Sequence, residues 1–137
     1  MATLGNVLAA IQPVLGPVVQ TTNATQTVAA RFVTKADTAY FFDVKVVAVK
    51  TTDHAAAATY WRQACALNNA GTLSLVGSVR TVVTDNETTA GWDVDISTAT
   101  ADVDGDGTND KTVTVLVTGA ADTTINWRVI ADVNKVS

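Results

Sequence analysis

Along GWDVDISTATADVDGDGTNDKTVTVLVTGAADTTINWRVIADV, residues 91–133, apolar and polar positions alternate. Trp92, Val94 and Ile96 point to one side, and Asp93, Asp95 and Ser97 to the other. Ile125, Trp127, Val129 and Ala131 repeat the pattern against Asn126, Arg128 and Asp132. A period of two marks a strand buried on one face. The stretch therefore predicts three consecutive strands joined by polar turns. Trp92 and Trp127 fall in register with aliphatic residues, which makes them core anchors before ligand contacts.

The same reading extends upstream. Strands are expected at Thr27–Val33, Thr38–Thr51, His54–Leu67, Thr72–Thr84, Ala90–Thr98, Lys111–Thr118 and Thr123–Val133. Turn-forming clusters separate them at Lys35–Asp37, Thr52–Asp53, Asn68–Gly71, Asp85–Thr89, Asp102–Asp110 and Gly119–Asp122. About seven strands with turns roughly every 10 to 15 residues predict an all-β fold, an antiparallel β-sandwich or jelly roll. HAAAATYWRQACAL is rich in alanine, a helix former, but Tyr60 and Trp61 suit a sheet and its neighbours are strands, so strand is preferred. In AYFFDVKVVAVK, Tyr40, Phe42, Val44 and Val46 form a core face. Phe41, Val47 and Val49 make the opposite face apolar as well, and a strand apolar on both faces needs cover twice. In a small sandwich the second cover is often another subunit.

Residues 1–20, MATLGNVLAAIQPVLGPVVQ, break the pattern and read as an N-terminal arm ahead of a domain at 21–137. Gly5, Pro13, Gly16 and Pro17 limit the arm to a short helix over Asn6–Ile11 followed by an extended tail. Leu4, Val7, Leu8, Ile11, Val14, Leu15, Val18 and Val19 form an apolar partner-binding set, to be buried on the arm's own sheet or on a neighbouring subunit. Thr21–Thr27, rich in Thr, Asn and Gln, is the expected hinge. The arm lacks the basic start of a secretory signal, and its prolines interrupt the apolar run short of a membrane span. The expectation is a protein made and assembled without export.

Composition narrows the chemistry. The chain has 137 residues, 47% of them apolar, which suits one core. Its formal net charge is -4, and its nine Lys and Arg are scattered, so nothing resembles a nucleic-acid footprint. The single cysteine, Cys65, cannot form an internal disulfide and reads as a small core residue. His54, the only histidine, sits at a turn, and Glu87 is the only glutamate. Asp93 and Asp95 read as solvating one strand face. No nucleophile elbow, zinc cluster or phosphate loop is present, so no catalytic residue is assigned and an enzyme is not expected.

The sharpest local motif is DVDGDGTND, which places Asp102, Asp104, Asp106 and Asp110 at positions 1, 3, 5 and 9 with glycine at 6. That matches the first half of a calcium loop, but position 12 is Val113 where an EF-hand supplies a bidentate Glu. The alternative is a solvated turn whose Asp, Asn and Gly suit local hydrogen bonds and positive φ. Calcium is thus the one candidate cofactor, as a loop clamp.

From Ala39 onward the chain resembles a β-rich module of tailed-bacteriophage virion proteins. The similar pieces are AYFFDVKVVAV, SLVGSVRTVVTDNETT, GWDVDIST and KTVTVLVTGAADTTINWRV. The acidic Asp102–Asp110 loop departs from that pattern, and only the short apolar arm stands where a fibre shaft would. The resemblance implies a non-enzymatic virion structural protein assembled in the host cytoplasm. It would be a capsid decoration (cement) protein, attached as a homo-oligomer, a trimer, to the major capsid protein or a neighbouring virion protein. A tail-tip module binding a host-surface glycan and a calcium-stabilised adhesion module are the alternatives.

Overall fold

The computed structural model describes residues 14–137. The described chain is all-β, with nine strands: β1 Val14–Thr21, β2 Thr27–Val33, β3 Thr38–Lys50, β4 Ala57–Asn69, β5 Thr72–Thr81, β6 Asn86–Glu87, β7 Asp93–Ala101, β8 Asp110–Thr118 and β9 Ile125–Val136. Two antiparallel sheets pack together as a β-sandwich. The larger runs β1-β9-β3-β4-β5, with β6 beside β4, and the smaller runs β2-β8-β7. The chain therefore changes layer after β8: β7 and β8 pair with each other, whereas β9 inserts between β1 and β3.

Alternation decides what the core contains. Phe42, Val44, Val46 and Ala48 of β3 point inward with Ile125, Trp127, Val129 and Ala131 of β9 and with Tyr60, Ala64 and Ala66 of β4. They meet Trp92, Val94, Ile96, Val113, Val115 and Val117 from the smaller sheet. Trp127 carries the packing across layers, with its ring 5.9 Å from Trp92 and 6.3 Å from Tyr60. Tyr40 and Phe42 extend the aromatic core at 5.8 Å and are buried, as the sequence pattern predicts.

Three expectations are corrected. First, the sandwich does not begin at residue 21: Val14–Thr21 forms β1, an edge strand on β9, so of the two covers open to the arm this half takes its own sheet. Pro17 has no N–H to donate, and it is accommodated because the register shifts between Leu15 and Val18. Within β1, Val19 packs on the core, while Leu15 and Val18 point outward and are exposed. Leu4, Val7, Leu8, Ile11 and the helix expected over Asn6–Ile11 lie outside the described residues. Second, the hinge begins on a fixed point, because buried Thr21 accepts a 2.8 Å hydrogen bond from the Trp127 indole N–H. Third, Cys65 is exposed. It shares the outward parity of Trp61, Gln63 and Leu67 on β4, since Tyr60, Arg62, Ala64 and Ala66 took the inward positions.

Gly119, where β8 ends, has no room for a side chain. A Cβ there would lie 2.7 Å from Thr21 Oγ1 and 3.0 Å from the Asn23 carbonyl. Gly119→Ala should therefore cost about 1–3 kcal/mol by displacing the partner of Trp127, read as a lowered melting temperature in thermal denaturation.

Candidate functional site

Three features of the described residues gather polar or uncovered groups: an ionic cluster between the sheets, the aspartate loop, and the outer face of the larger sheet.

The ionic cluster centres on Arg62, a cation that alternation turns into the sandwich. Its guanidinium grips Asp85 with both nitrogens, at 2.6 and 2.9 Å, and lies 3.6 Å from Asp93. Its Nε donates to the Val94 carbonyl at 3.0 Å, so one side chain joins β4 to β7 across the layers. Beside it the Tyr60 hydroxyl donates to Glu87 at 2.8 Å, and the guanidinium lies 5.5 Å from the Tyr60 ring. Burial and then the Glu87 carboxylate raise the Tyr60 phenol above its ordinary 10.0, so it stays a proton donor. The Asp85 bond, opposed by burial, raises Arg62. Each charged group here is engaged by another, and the arrangement fastens the Asp85–Trp92 segment to the sandwich.

The aspartate loop closes on itself. Asp102 accepts hydrogen bonds from the backbone N–H groups of Gly105 and Gly107, both at 2.9 Å. Asp104 accepts from Asp106 N, Asp106 from Thr108 N and Asp110 from Val103 N. Gly105 and Gly107 have φ of 76° and 85°, a conformation that suits glycine. Asp102, Asp104 and Asp106 each bring an oxygen within 4.8 Å of the others. These three are the side chains that could hold a hard cation such as calcium, whereas Asp110 is tied to Val103. The Gly107 and Gly105 amides hold the Asp102 carboxyl below its ordinary 3.8, against a smaller opposing effect of burial.

The outer face of the larger sheet is rich in apolar residues. Cross-strand registers arrange it in rows: Leu15–Ile130–Lys45–Trp61, Asp132–Asp43–Gln63–Arg80 and Asn134–Phe41–Cys65–Val76. Phe41, Leu67 and Val76 leave 44%, 38% and 52% of their surfaces open and lie close together on β3, β4 and β5, while Val47, 44% open, stands apart beyond Asp43 and Lys45. A groove of about 310 Å³ lies among Lys45, Val47, Thr59, Trp61, Val83 and Ile130. Trp61 is held from both ends: its indole N–H donates to Asp43, and the Lys45 ammonium sits 4.8 Å from its ring. A second cleft, about 370 Å³, opens between β1 and β2 around Gly16, Pro17, Ala29, Phe32 and Val129. His54 is exposed at a turn with φ of 55° and takes part in none of these features. Sequence reasoning missed Arg62 and Asp85, because nothing in a one-dimensional pattern marks which charge will face inward.

No protein-family model matches the chain, and neither a curated protein nor a solved structure matches it.

Two outcomes follow. Arg62→Ala should lower stability by about 3 kcal/mol or more, because it strands Asp85, and the Arg62→Ala/Asp85→Ala double variant should cost less than the sum of the singles in denaturant melts. For Asp102, the depressed folded-state pKa means its contribution is present above 3.8 and is lost as pH falls through the folded value. Amide exchange at Gly105 and Gly107, corrected for its intrinsic pH dependence, should lose protection only in that acid range, and Asp102→Ala should lose it at neutral pH.

Proposed function

We propose that this protein is a non-enzymatic structural component that works by attachment. In the form suggested by the quoted resemblance, it decorates a bacteriophage capsid as a homo-oligomer after assembly in the host cytoplasm. The observation that carries the reading is the uncovered apolar outer face of the larger sheet. An uncharged segment holding Leu4, Val7, Leu8 and Ile11 precedes the sheet's edge strand. Apolar area left in water is unfavourable by about 25 cal/mol per Å², which favours cover by another molecule. Several subunits linked in this way bind far more tightly than one, because every contact after the first is intramolecular. In this reading the engaged charges of Arg62, Asp85 and Glu87 brace the scaffold, and the aspartate loop is a closed turn at its rim.

A glycan-binding tail-tip role would draw on Trp61. It stands second because the Trp61 ring already carries the Lys45 ammonium, 4.8 Å away. A calcium-dependent adhesion role would make attachment sensitive to chelation, whereas the proposed role expects none.

The structure limits how the arm can be tested. Removing residues 1–20 would strip β1 from β9, so the informative deletion is residues 1–13. The truncated protein should melt as the full chain does yet fail to co-sediment with purified phage particles, while the full chain is retained in hundreds of copies by quantitative mass spectrometry. Full occupancy by the truncated protein would refute the arm's role.

A further inference from the structure

We infer that the outer face of the larger sheet is covered by the same face of a second copy, related by a two-fold axis parallel to the strands and passing between β3 and β4. The inference rests on the reading of the protein as an assembly module and names the partner. One row of charges points to it. Asp43 and Asp132 are directly opposite each other on β3 and β9, a like-charge pairing that destabilises a sheet. Trp61 and Gln63 donate hydrogen bonds to Asp43. Among the described residues neither aspartate has a cationic partner. In the same row, Arg80 lies opposite Gln63 on β5 and also has no ion pair among the described residues. Three strand spacings, about 14 Å, keep Arg80 from Asp132 within one molecule.

A closed dimer needs a surface complementary to itself, and this row meets that condition. Turning a second copy about the stated axis exchanges β9 with β5 and β3 with β4 while leaving each row facing itself. Asp132 then meets the second copy's Arg80, and Arg80 meets its Asp132. Phe41 meets Cys65 in the adjacent row, and Lys45 meets Trp61 on the other side. Phe41 and Cys65 on one flank and the Lys45–Trp61 contact on the other thus border a reciprocal pair of ionic contacts. The overlap covers the four strands β9, β3, β4 and β5: about 19 Å across by about 33 Å along ten residues is about 630 Å² per copy. Two copies together then bury about 1,260 Å², the lower end of the range for stable interfaces, about 1,200–2,000 Å². Two larger sheets stacked this way would form a second sandwich interface, roughly 10 Å deep, outside the first. The result is a pair, in place of the trimer that the resemblance implies.

The two-fold reciprocity gives a specific test by sedimentation velocity, with circular dichroism confirming the fold of each variant. The native chain should sediment as a dimer. Asp132→Lys sets a lysine against Arg80 at both ends of the interface, and Arg80→Asp sets an aspartate against Asp132 at both ends. Each variant alone should therefore dimerise at least about tenfold more weakly. Mixing the two restores an attraction between opposite charges at each end of one complex, so a one-to-one heterodimer with native-like affinity is expected. Deleting residues 1–13 should leave the dimer intact. A native monomer or trimer, a mixture that stays monomeric, or loss of the dimer on that deletion would each overturn the proposal. None of these results bears on whether the arm binds particles, so this inference and the attachment role can fail separately.

Discussion

The structure depends on an imbalance between its two sheets. The larger sheet is five strands wide, with β6 added beside β4, and the smaller has three. One face of the larger sheet is buried against the smaller, where Trp127, Phe42, Val44 and Val129 are almost fully enclosed. The other face is built from the same strands and, by the period of two, carries their alternate residues. In most antiparallel sheets those alternates are polar. Here β3 contributes Phe41 and Val47, β4 contributes Trp61 and Leu67, and β5 contributes Val76. That departure from ordinary patterning is the physical basis of both the attachment reading and the paired arrangement.

Polar side chains at separate places hold the two layers and their edges. Arg62 spans from β4 to the Val94 carbonyl and Asp85. Asn68 reaches the Thr34 hydroxyl, which itself donates to the Lys111 carbonyl, tying the ends of β4, β2 and β8. Thr21 and the Trp127 indole fix β1 to β9. These ties are satisfied in the sandwich interior and at its ends, so they add geometric specificity to an otherwise non-directional apolar core. The long exposed turn from Asp102 to Asp110 sits beyond these ties and is held by its own carboxylates.

Strong alternation made the core legible. Trp92, Val94, Ile96 and the run from Ile125 to Ala131 announce their inward parity through the regular spacing of apolar residues. Strands β2 to β5 and β7 to β9 were readable for the same reason. Parity was hidden in HAAAATYWRQACAL, where adjacent Tyr60 and Trp61 are both aromatic and alanines serve either face. Packing against the smaller sheet chose Tyr60 for the core and so turned Cys65 outward. β1 was hidden by Gly16 and Pro17, which read as breaks in a linear pattern and are absorbed by an irregular register in space. The pairing of β6 involves two residues, too few for any periodicity. The aspartate loop was visible as a motif, but the use of its carboxylates on its own amides needed coordinates.

The most direct measurement of the central claim uses Cys65, the chain's single cysteine, which lies in the middle of the exposed face between Phe41 and Val76. Its rate of alkylation by iodoacetamide can be followed across protein concentration without altering the sequence. If this face seeks cover from a second copy, the rate should fall as concentration rises and recover on dilution. A rate equal to that of a free thiol at every concentration would show the face open to water and contradict the account.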